Sequence, residues 1–241
     1  MSFDPFGDFE TRGYLRNLAN EKDAEIVRRL EHTSFTTGID AAIAHLAKAR
    51  TITYTDVLAT HKTLFDAVYP WAGEDRLKTA PDLAVSRGSV LFARPEDIRR
   101  AVEHALTHGQ DKKTMAAKPG EIMGYLAYGH PFLDGNGRTI VLVHGVLAQR
   151  AGFSIDWAAT QKDEYLSALT KELDNPGQGH LDSYLKPFIR EALPDARLAE
   201  KIAQAPGLDG NDPKNVVLGK TSEPALKARY EQQELKRKRD K

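Results

Sequence analysis

The stretch Gly129-His-Pro-Phe-Leu-Asp-Gly-Asn-Gly-Arg-Thr139 decides how this sequence is interpreted. It brings an imidazole, a carboxylate, a guanidinium and an asparagine between two glycines within nine positions. Glycine reaches positive φ angles and has no Cβ to hold a ligand away. A Gly-Asn-Gly turn can therefore aim consecutive backbone N–H groups into one concavity, which suits an anion.

The segment after this turn is predicted to be a buried helix. Residues 139–149, Thr-Ile-Val-Leu-Val-His-Gly-Val-Leu-Ala-Gln, are mostly apolar. The N-terminus of a helix carries unpaired N–H groups and the positive end of the helix dipole, so it attracts phosphate. The glycine turn ahead of this helix therefore predicts a phosphate-binding site.

Three side chains of the stretch suit chemistry on a phosphate-containing group. Arg138 offers a forked cation to phosphate oxygens. Asp134 offers a hard carboxylate of the kind that holds Mg²⁺ beside phosphates. His130 belongs to the residue type that titrates near neutrality, which suits a general base. The alternative is a structural loop that places Phe132 and Leu133 in the core and gives His130 no chemical role.

The same residues resemble a family signature. Apart from its last fixed position, they match H-x-F-x-[D/E]-G-N-G-R-x-x-R, the signature of the Fic (Fido-fold) family. The resemblance implies that His130 deprotonates a target hydroxyl, that Asp134 holds Mg²⁺ and that Phe132 anchors the loop. It also implies that the nucleotide phosphates are bound by Gly135, Asn136, Gly137 and Arg138.

The last position of the signature departs from the family. Val141 stands where the family has a second Arg, which grips the outer phosphate of ATP and pairs with an inhibitory Glu. The resemblance implies a protein adenylyltransferase that moves AMP from ATP to a Ser, Thr or Tyr hydroxyl. Because of Val141, another nucleotide or a diphosphate-linked donor such as UTP or CDP-choline stays open, as does a non-catalytic nucleotide-binding module. Val141 itself could face the core while another Lys or Arg takes the role of the missing Arg.

A β-hairpin is predicted upstream of the signature, within residues 76–92. Two short β-type runs, residues 83–85 and 90–92, flank Arg87 and Gly88. By resemblance this hairpin is the flap of a Fic domain, whose edge pairs with an extended segment of the protein substrate. Arg87 and Gly88 fall where the family often has Lys-Gly near the nucleotide. The alternative is an ordinary surface hairpin with Arg87 in solvent.

The rest of the chain predicts a mainly α fold. Apolar residues recur at helical spacing in several segments, with Gly38 beginning a new segment and residues 152–157 forming a short loop. A further helix is predicted over residues 180–193. The predicted divisions are an N-terminal helical extension over residues 1–34, a Fic domain over residues 35–193 and a flexible, charged C-terminal tail over residues 194–241.

Composition limits the classes of function. The 241 residues include 34 basic and 34 acidic side chains, so no global field draws the chain to nucleic acid or to a membrane. The absence of cysteine excludes a disulfide framework and a cysteine-based zinc site. No apolar run approaches the ~18 residues of a membrane span, and the start lacks a signal-peptide core.

These observations lead to expectations about location and partners. We expect a bacterial cytoplasmic protein, with delivery by a non-classical secretion route left open. The expected partner is a protein substrate along the flap, about residues 76–92, and a separate small inhibitor protein is an open possibility.

Overall fold

Helices dominate the computed structural model, which describes residues 3–206, 208 and 215–239. This confirms the predicted mainly α fold. In chain order the described elements are α1 (Phe9–Arg12), α2 (Ala24–Lys48), α3 (Tyr54–Phe65), α4 (Arg76–Thr79), β1 (Leu83–Arg87), β2 (Val90–Leu91), α5 (Ile98–Gln110), α6 (Lys112–Ala117), α7 (Pro119–Gly129), α8 (Asn136–Ala151), β3 (Phe153–Ile155), α9 (Lys162–Asp174), α10 (His180–Leu185), β4 (Ile189–Glu191), α11 (Asp195–Ala203), β5 (Val216–Lys220) and α12 (Pro224–Arg239).

The helix that follows the glycine turn runs through the core. Every residue of α8 from Arg138 to Ala148 is buried, and α8 contacts α2, α3, α5, α6, α7 and α11. The predicted helix over residues 139–149 is confirmed, although it begins three residues earlier, at Asn136. The Asn-Gly-Arg part of the glycine turn is therefore the first turn of a helix fixed on several sides.

The helix α2 passes straight through Gly38, so the prediction that Gly38 begins a new segment is wrong. A Cβ at Gly38 would stand 2.6 Å from the carbonyl oxygen of Thr63 in α3. The glycine therefore allows α2 and α3 to approach closely rather than ending a helix. The predicted division between residues 34 and 35 falls inside α2, and as a domain boundary it stays a prediction.

The predicted flap hairpin is present. The strands β1 and β2 pair antiparallel, with Arg87 opposite Val90, so Gly88 and Ser89 form a two-residue turn. Gly88 has a φ of 57°, which a tight hairpin turn requires. The strand β5 pairs with the other edge of β1, which gives a three-stranded sheet in the order β2-β1-β5.

The predicted helix over residues 180–193 is wrong beyond Leu185. A short 3-10 turn, Lys186–Phe188, follows α10 and leads into β4, which pairs antiparallel with β3. Pro187 has no backbone N–H and therefore breaks the helix. The predicted loop over residues 152–157 contains the partner strand β3.

The predicted flexible tail over residues 194–241 contains ordered elements in its described part. In α11, Leu198, Ala199 and Ile202 are buried against the core. In α12, Leu226 and Tyr230 form a second apolar cluster with two residues of the flap. Within each helix these apolar residues recur three or four positions apart among many charges. This is helical spacing, which the charge-rich composition concealed. Residues 207, 209–214, 240 and 241 of this segment lie outside the described residues.

No helix in the described ranges is both long enough and apolar enough to cross a membrane.

Candidate active site

His130 occupies a strained backbone position at the end of α7. Its φ of 42° and ψ of 59° lie in the left-handed region, which costs a residue with a side chain about 1–3 kcal/mol. The fully buried Arg76 holds this position: its Nε donates to the His130 carbonyl at 2.8 Å and its Nη2 donates to the Ala93 carbonyl at 2.7 Å. The loop conformation is thus fixed by a guanidinium that the sequence analysis did not single out.

The His130 imidazole is buried and placed by three neighbours. Its ring stacks on Phe92 of the flap, with centroids 3.6 Å apart and ring planes 5° apart. The side-chain amide nitrogens of Asn136 and Asn215 lie 3.2 Å and 3.1 Å from His130 Nε2. Because amide N–H groups donate, Nε2 is the accepting nitrogen and the proton lies on Nδ1. Nε2 is therefore the atom that can take a proton.

The pKa of His130 lies well below the usual value for histidine. Burial is the main cause, and the positive charges of Arg87 and Arg76 add to it. Each disfavours the protonated ring. At neutral pH the imidazole is therefore uncharged, which is the form that a general base needs.

The two glycines of the turn differ in what surrounds them. Gly135 has a φ of 73°, and a Cβ there would stand 2.5 Å from the ring of Phe65. A Cβ at Gly137 would meet nothing within 4 Å. Packing inside the protein therefore accounts for Gly135, whereas Gly137 leaves open space in front of the turn.

Asn136 closes the loop with its side chain. Its Oδ1 accepts from the Phe132 N–H at 2.9 Å, and its Nδ2 donates to the Phe132 carbonyl at 2.7 Å. The first backbone bond within α8 runs from Thr139 to the Gly135 carbonyl. The N–H groups of Asn136, Gly137 and Arg138 come before that bond, at the positive end of the helix.

Arg138 pairs with a buried acid that the sequence analysis missed. Its Nη2 lies 3.0 Å from Glu31 of α2 and 3.7 Å from the Asp134 carboxylate. Glu31 also accepts from the Tyr69 hydroxyl at 2.6 Å. Burial and then the charge of Asp134 raise the pKa of Glu31 to about 7, against the opposing effect of Arg138. Among the described residues, Arg138 Nη1 is buried without a hydrogen-bond partner.

A cavity of about 390 Å³ opens beside the turn. Five of the predicted site residues line it, namely Arg87, Gly88, His130, Asn136 and Gly137. Asp134, Gly135 and Arg138 do not line it. Val141 is buried and lines the same cavity, so it belongs both to the core and to the site wall. Lys162 is a second basic residue on this wall, along with Arg87.

Residues 51–148 match the model of the Fic/DOC family. The chain carries a Fic domain. Within the matched residues lie the flap, the glycine turn and nearly all of α8.

Curated relatives match this chain at modest identity. The chain is 29% identical over 175 residues to the protein adenylyltransferase VbhT of Bartonella schoenbuchensis, a match that covers 69% of this chain and 35% of VbhT. It is 25% identical over 166 residues to the probable protein adenylyltransferase y4lH of Sinorhizobium fredii, covering 65% of this chain and 82% of that protein. The match thus spans about a third of the length of VbhT.

Solved structures show the same fold. The N-terminal Fic domain of a putative cell filamentation protein from Bartonella quintana, with bound ADP, gives a TM-score of 0.60 at 20% identity. That match covers 73% of this chain and 90% of the Bartonella domain. BepC of Bartonella tribocorum, with bound AMPPNP, gives a TM-score of 0.57 at 16% identity and covers 73% of this chain and 92% of that one.

Asp134 sits where the Fic domain can present it to a cation. Its Oδ1 accepts from the Gly135 N–H at 2.6 Å, and its side chain is 34% exposed. In the part of the chain that the structure describes, no three His, Asp or Glu residues form a cluster that could hold a metal by themselves. A single carboxylate beside an anion site suits Mg²⁺, which usually takes its other ligands from phosphate and water.

His61 of α3 contacts the loop that leads into the glycine turn. Its Nδ1 accepts from the Gly73 N–H at 2.9 Å, and its Nε2 lies 3.1 Å from the Asp134 carbonyl oxygen. Its ring stacks on Phe132 with centroids 3.7 Å apart. Phe132 is fully buried, so its predicted packing in the core is confirmed.

Asn215 reaches the site of the Fic domain from the C-terminal segment. Its Nδ2 lies 3.1 Å from His130 Nε2 and 3.3 Å from the Leu133 carbonyl oxygen. Its Oδ1 accepts from Arg87 Nε at 3.2 Å. Arg87, which was predicted to bind nucleotide, therefore holds an asparagine of this chain while it lines the cavity.

Proposed function

We propose that this protein is an adenylyltransferase that moves AMP from ATP to a Ser, Thr or Tyr hydroxyl of another protein. The observation that carries the proposal is the neutral His130 imidazole beside the N-terminus of α8, on the wall of one cavity. A base next to an anion site fits a reaction in which a hydroxyl attacks a phosphorus atom. The relatives named protein adenylyltransferase support the same reaction.

In the proposed reaction each group of the site has its own role. The acceptor hydroxyl gives its proton to His130 Nε2 while its oxygen forms a bond to the α-phosphorus of ATP. The bond between that phosphorus and the oxygen bridging to the β-phosphate breaks, and pyrophosphate leaves with the electron pair. The N–H groups of Asn136 and Gly137, with Arg138, bind the phosphate charge, and such fixed donors make a large part of phosphoryl-transfer catalysis.

The Asp134 carboxylate is the residue that we assign to Mg²⁺. When bound, the ion would neutralise charge on the phosphates. Arg138 Nη2 lies 3.7 Å from Asp134 Oδ1, so the carboxylate and the guanidinium share one side of the turn.

The acceptor is proposed to be an extended protein segment that pairs with the edge of β1. Strand addition of this kind aligns a backbone by main-chain hydrogen bonds and makes few demands on side chains. Phe92 directly follows β2 and stacks on His130. A segment that pairs with β1 would therefore lie close to the base. We place this activity in the bacterial cytoplasm, where ATP, Mg²⁺ and protein acceptors occur together.

The identity of the donor has a second candidate, because Val141 lines the cavity in place of an Arg. A valine cannot bind the outer phosphate of a triphosphate. A donor with two phosphates would lose nothing by that replacement. Lys162 on the cavity wall is the basic residue that could bind the outer phosphate of ATP instead.

The test is transfer of label from α-phosphate-labelled ATP, with Mg²⁺, to proteins of a bacterial lysate and to the chain itself. The wild type should label protein and His130→Ala should not. A parallel thermal-shift panel with ATP, GTP, CTP, UTP and CDP-choline identifies the donor by the largest stabilisation. Equal labelling, or no labelling, by wild type and His130→Ala would refute the proposal. The strongest shift with a donor other than ATP would replace only the donor.

A further inference from the structure

The edge of β1 that faces away from β2 is filled by the chain itself. Ser86 lies opposite Val216, Val85 opposite Val217, Ala84 opposite Gly219, and Leu83 opposite Lys220. The Thr221 N–H extends the ladder by donating to the Asp82 carbonyl at 2.8 Å. The strand β2 pairs with Ser86 and Arg87 on the other edge. An extended acceptor therefore has to displace β5 to pair with residues 83–86 along the edge that β5 occupies.

The residue just before β5 is Asn215, and its side chain reaches the catalytic base. Its amide nitrogen stands at hydrogen-bonding distance from His130 Nε2, at 3.1 Å. An acceptor hydroxyl must occupy this place for His130 to take its proton. An amide nitrogen is a poor nucleophile because its lone pair is delocalised into the carbonyl. The asparagine therefore fills the acceptor position without becoming an acceptor.

We propose that residues 215–220 are an internal pseudosubstrate, which occupies the acceptor edge of β1 and places Asn215 against His130. This inference rests on the proposed adenylyltransferase activity. It assigns two roles that the sequence analysis did not: β5 competes with the protein substrate, and Asn215 marks the position of the modified residue. A protein acceptor then has to displace β5 before transfer occurs.

The anchoring of the neighbouring elements makes such a displacement feasible. In β5 the residues Val216 and Leu218 are 50% and 39% exposed. In α12, by contrast, Leu226 and Tyr230 are buried against the flap, and Gln233 donates to the Leu91 carbonyl at 2.6 Å. The strand can therefore leave β1 while α12 stays in place, because most of the buried apolar contact lies in the helix.

The first arm of the test converts the asparagine into an acceptor. Asn215→Ser places a hydroxyl one bond short of the amide position, and Asn215→Tyr places one farther out. Each variant, incubated with ATP and Mg²⁺, should gain one AMP at residue 215, as located by peptide mass spectrometry. The wild type should gain none there. Adding His130→Ala to Asn215→Ser should abolish the modification.

The second arm releases the strand. Consecutive N–H groups of a strand point to opposite sides, so proline at both Val216 and Val217 removes at least one bond to β1. The double substitution Val216→Thr with Val217→Thr is the control, because it keeps β-branched residues and both N–H groups. The probe is a synthetic peptide with the sequence of residues 213–221 in which Asn215 is replaced by Ser.

The proline variant should modify this peptide at least ten times faster than the wild type or the threonine control. Hydrogen exchange at the β1 amides checks that the edge has become free while α12 stays protected. Equal peptide modification by wild type and proline variant, with the edge shown to be free, would overturn the pseudosubstrate and leave the adenylyltransferase standing. No transfer by any variant, with the edge free, would overturn both.

Discussion

The two glycines of one turn, Gly135 and Gly137, face opposite constraints. A Cβ at Gly135 would stand 2.5 Å from the Phe65 ring, whereas a Cβ at Gly137 would meet nothing within 4 Å. The first side of the turn is closed by the packing of α3 and by the Arg138–Glu31 pair. The second side opens into the cavity. Glu31 and Gly135 on the closed side should therefore matter for folding, and His130 and Gly137 on the open side for the ligand and its chemistry.

The largest effect on the open side is expected from His130→Ala. Loss of a positioned base lowers a rate by about 10²–10⁴-fold. The measurement is the initial rate of AMP transfer at saturating ATP. ATP should still raise the melting temperature of the variant, because the N–H groups of α8 remain. If that shift disappears along with the rate, the substitution has damaged the phosphate site, and the comparison of the two sides fails at this position.

On the closed side, Glu31→Ala should lower the free energy of unfolding by about 3–5 kcal/mol, since it leaves the Arg138 guanidinium buried without its partner. Urea denaturation measures this change. Glu25→Ala on the same helix is the matched control, because the Glu25 side chain is 70% exposed. A loss no greater than that of the control would show that Glu31 does not hold the closed side.

Substitutions of the two glycines themselves form a matched pair, and we expect their effects to be of intermediate size. Gly135→Ala should destabilise the fold by about 1–3 kcal/mol, because its Cβ overlaps the Phe65 ring. Gly137→Ala should leave stability unchanged or raise it by up to about 1 kcal/mol, because alanine favours helix. For ATP affinity the larger effect should come from Gly137→Ala, which should weaken binding in thermal-shift titrations. Equal destabilisation by both substitutions would erase the distinction between the sides.

Part of this candidate site could be predicted from the sequence because the signature residues are contiguous. His130, Asp134 and the glycine turn follow one another along the chain, so local backbone rules were enough to bring them together. Glu31 left a signal that was overlooked: it stands four residues from both Val27 and Phe35, on the buried stripe of α2. A carboxylate in such a stripe requires a partner. The sequence does not identify the cationic residue that serves as this partner.

Asn215 left no such signal. It follows Asn211-Asp-Pro-Lys214, a composition typical of a linker, and its role depends on pairing with a strand more than a hundred residues earlier. Short strands such as β5 are stabilised by cross-strand partners rather than by their own sequence. Arg76 was equally hidden, because an arginine buried by carbonyl oxygens of two distant loops has no local pattern.

The smallest expected effect concerns the pH dependence of the open side. A base works in its unprotonated form, and the pKa of His130 is depressed by burial and then by Arg87 and Arg76. The transfer rate should therefore stay level as pH falls through the usual histidine range and decline only below it.

Arg87→Gln removes one of the depressing charges, so the pKa of His130 should rise and the acid limb of kcat/KM should move to higher pH. Arg87→Lys keeps the charge and should leave the limb where the wild type has it. Since lost nucleotide affinity lowers the whole profile without moving its limb, a limb that stays fixed in Arg87→Gln would show that Arg87 does not tune the base.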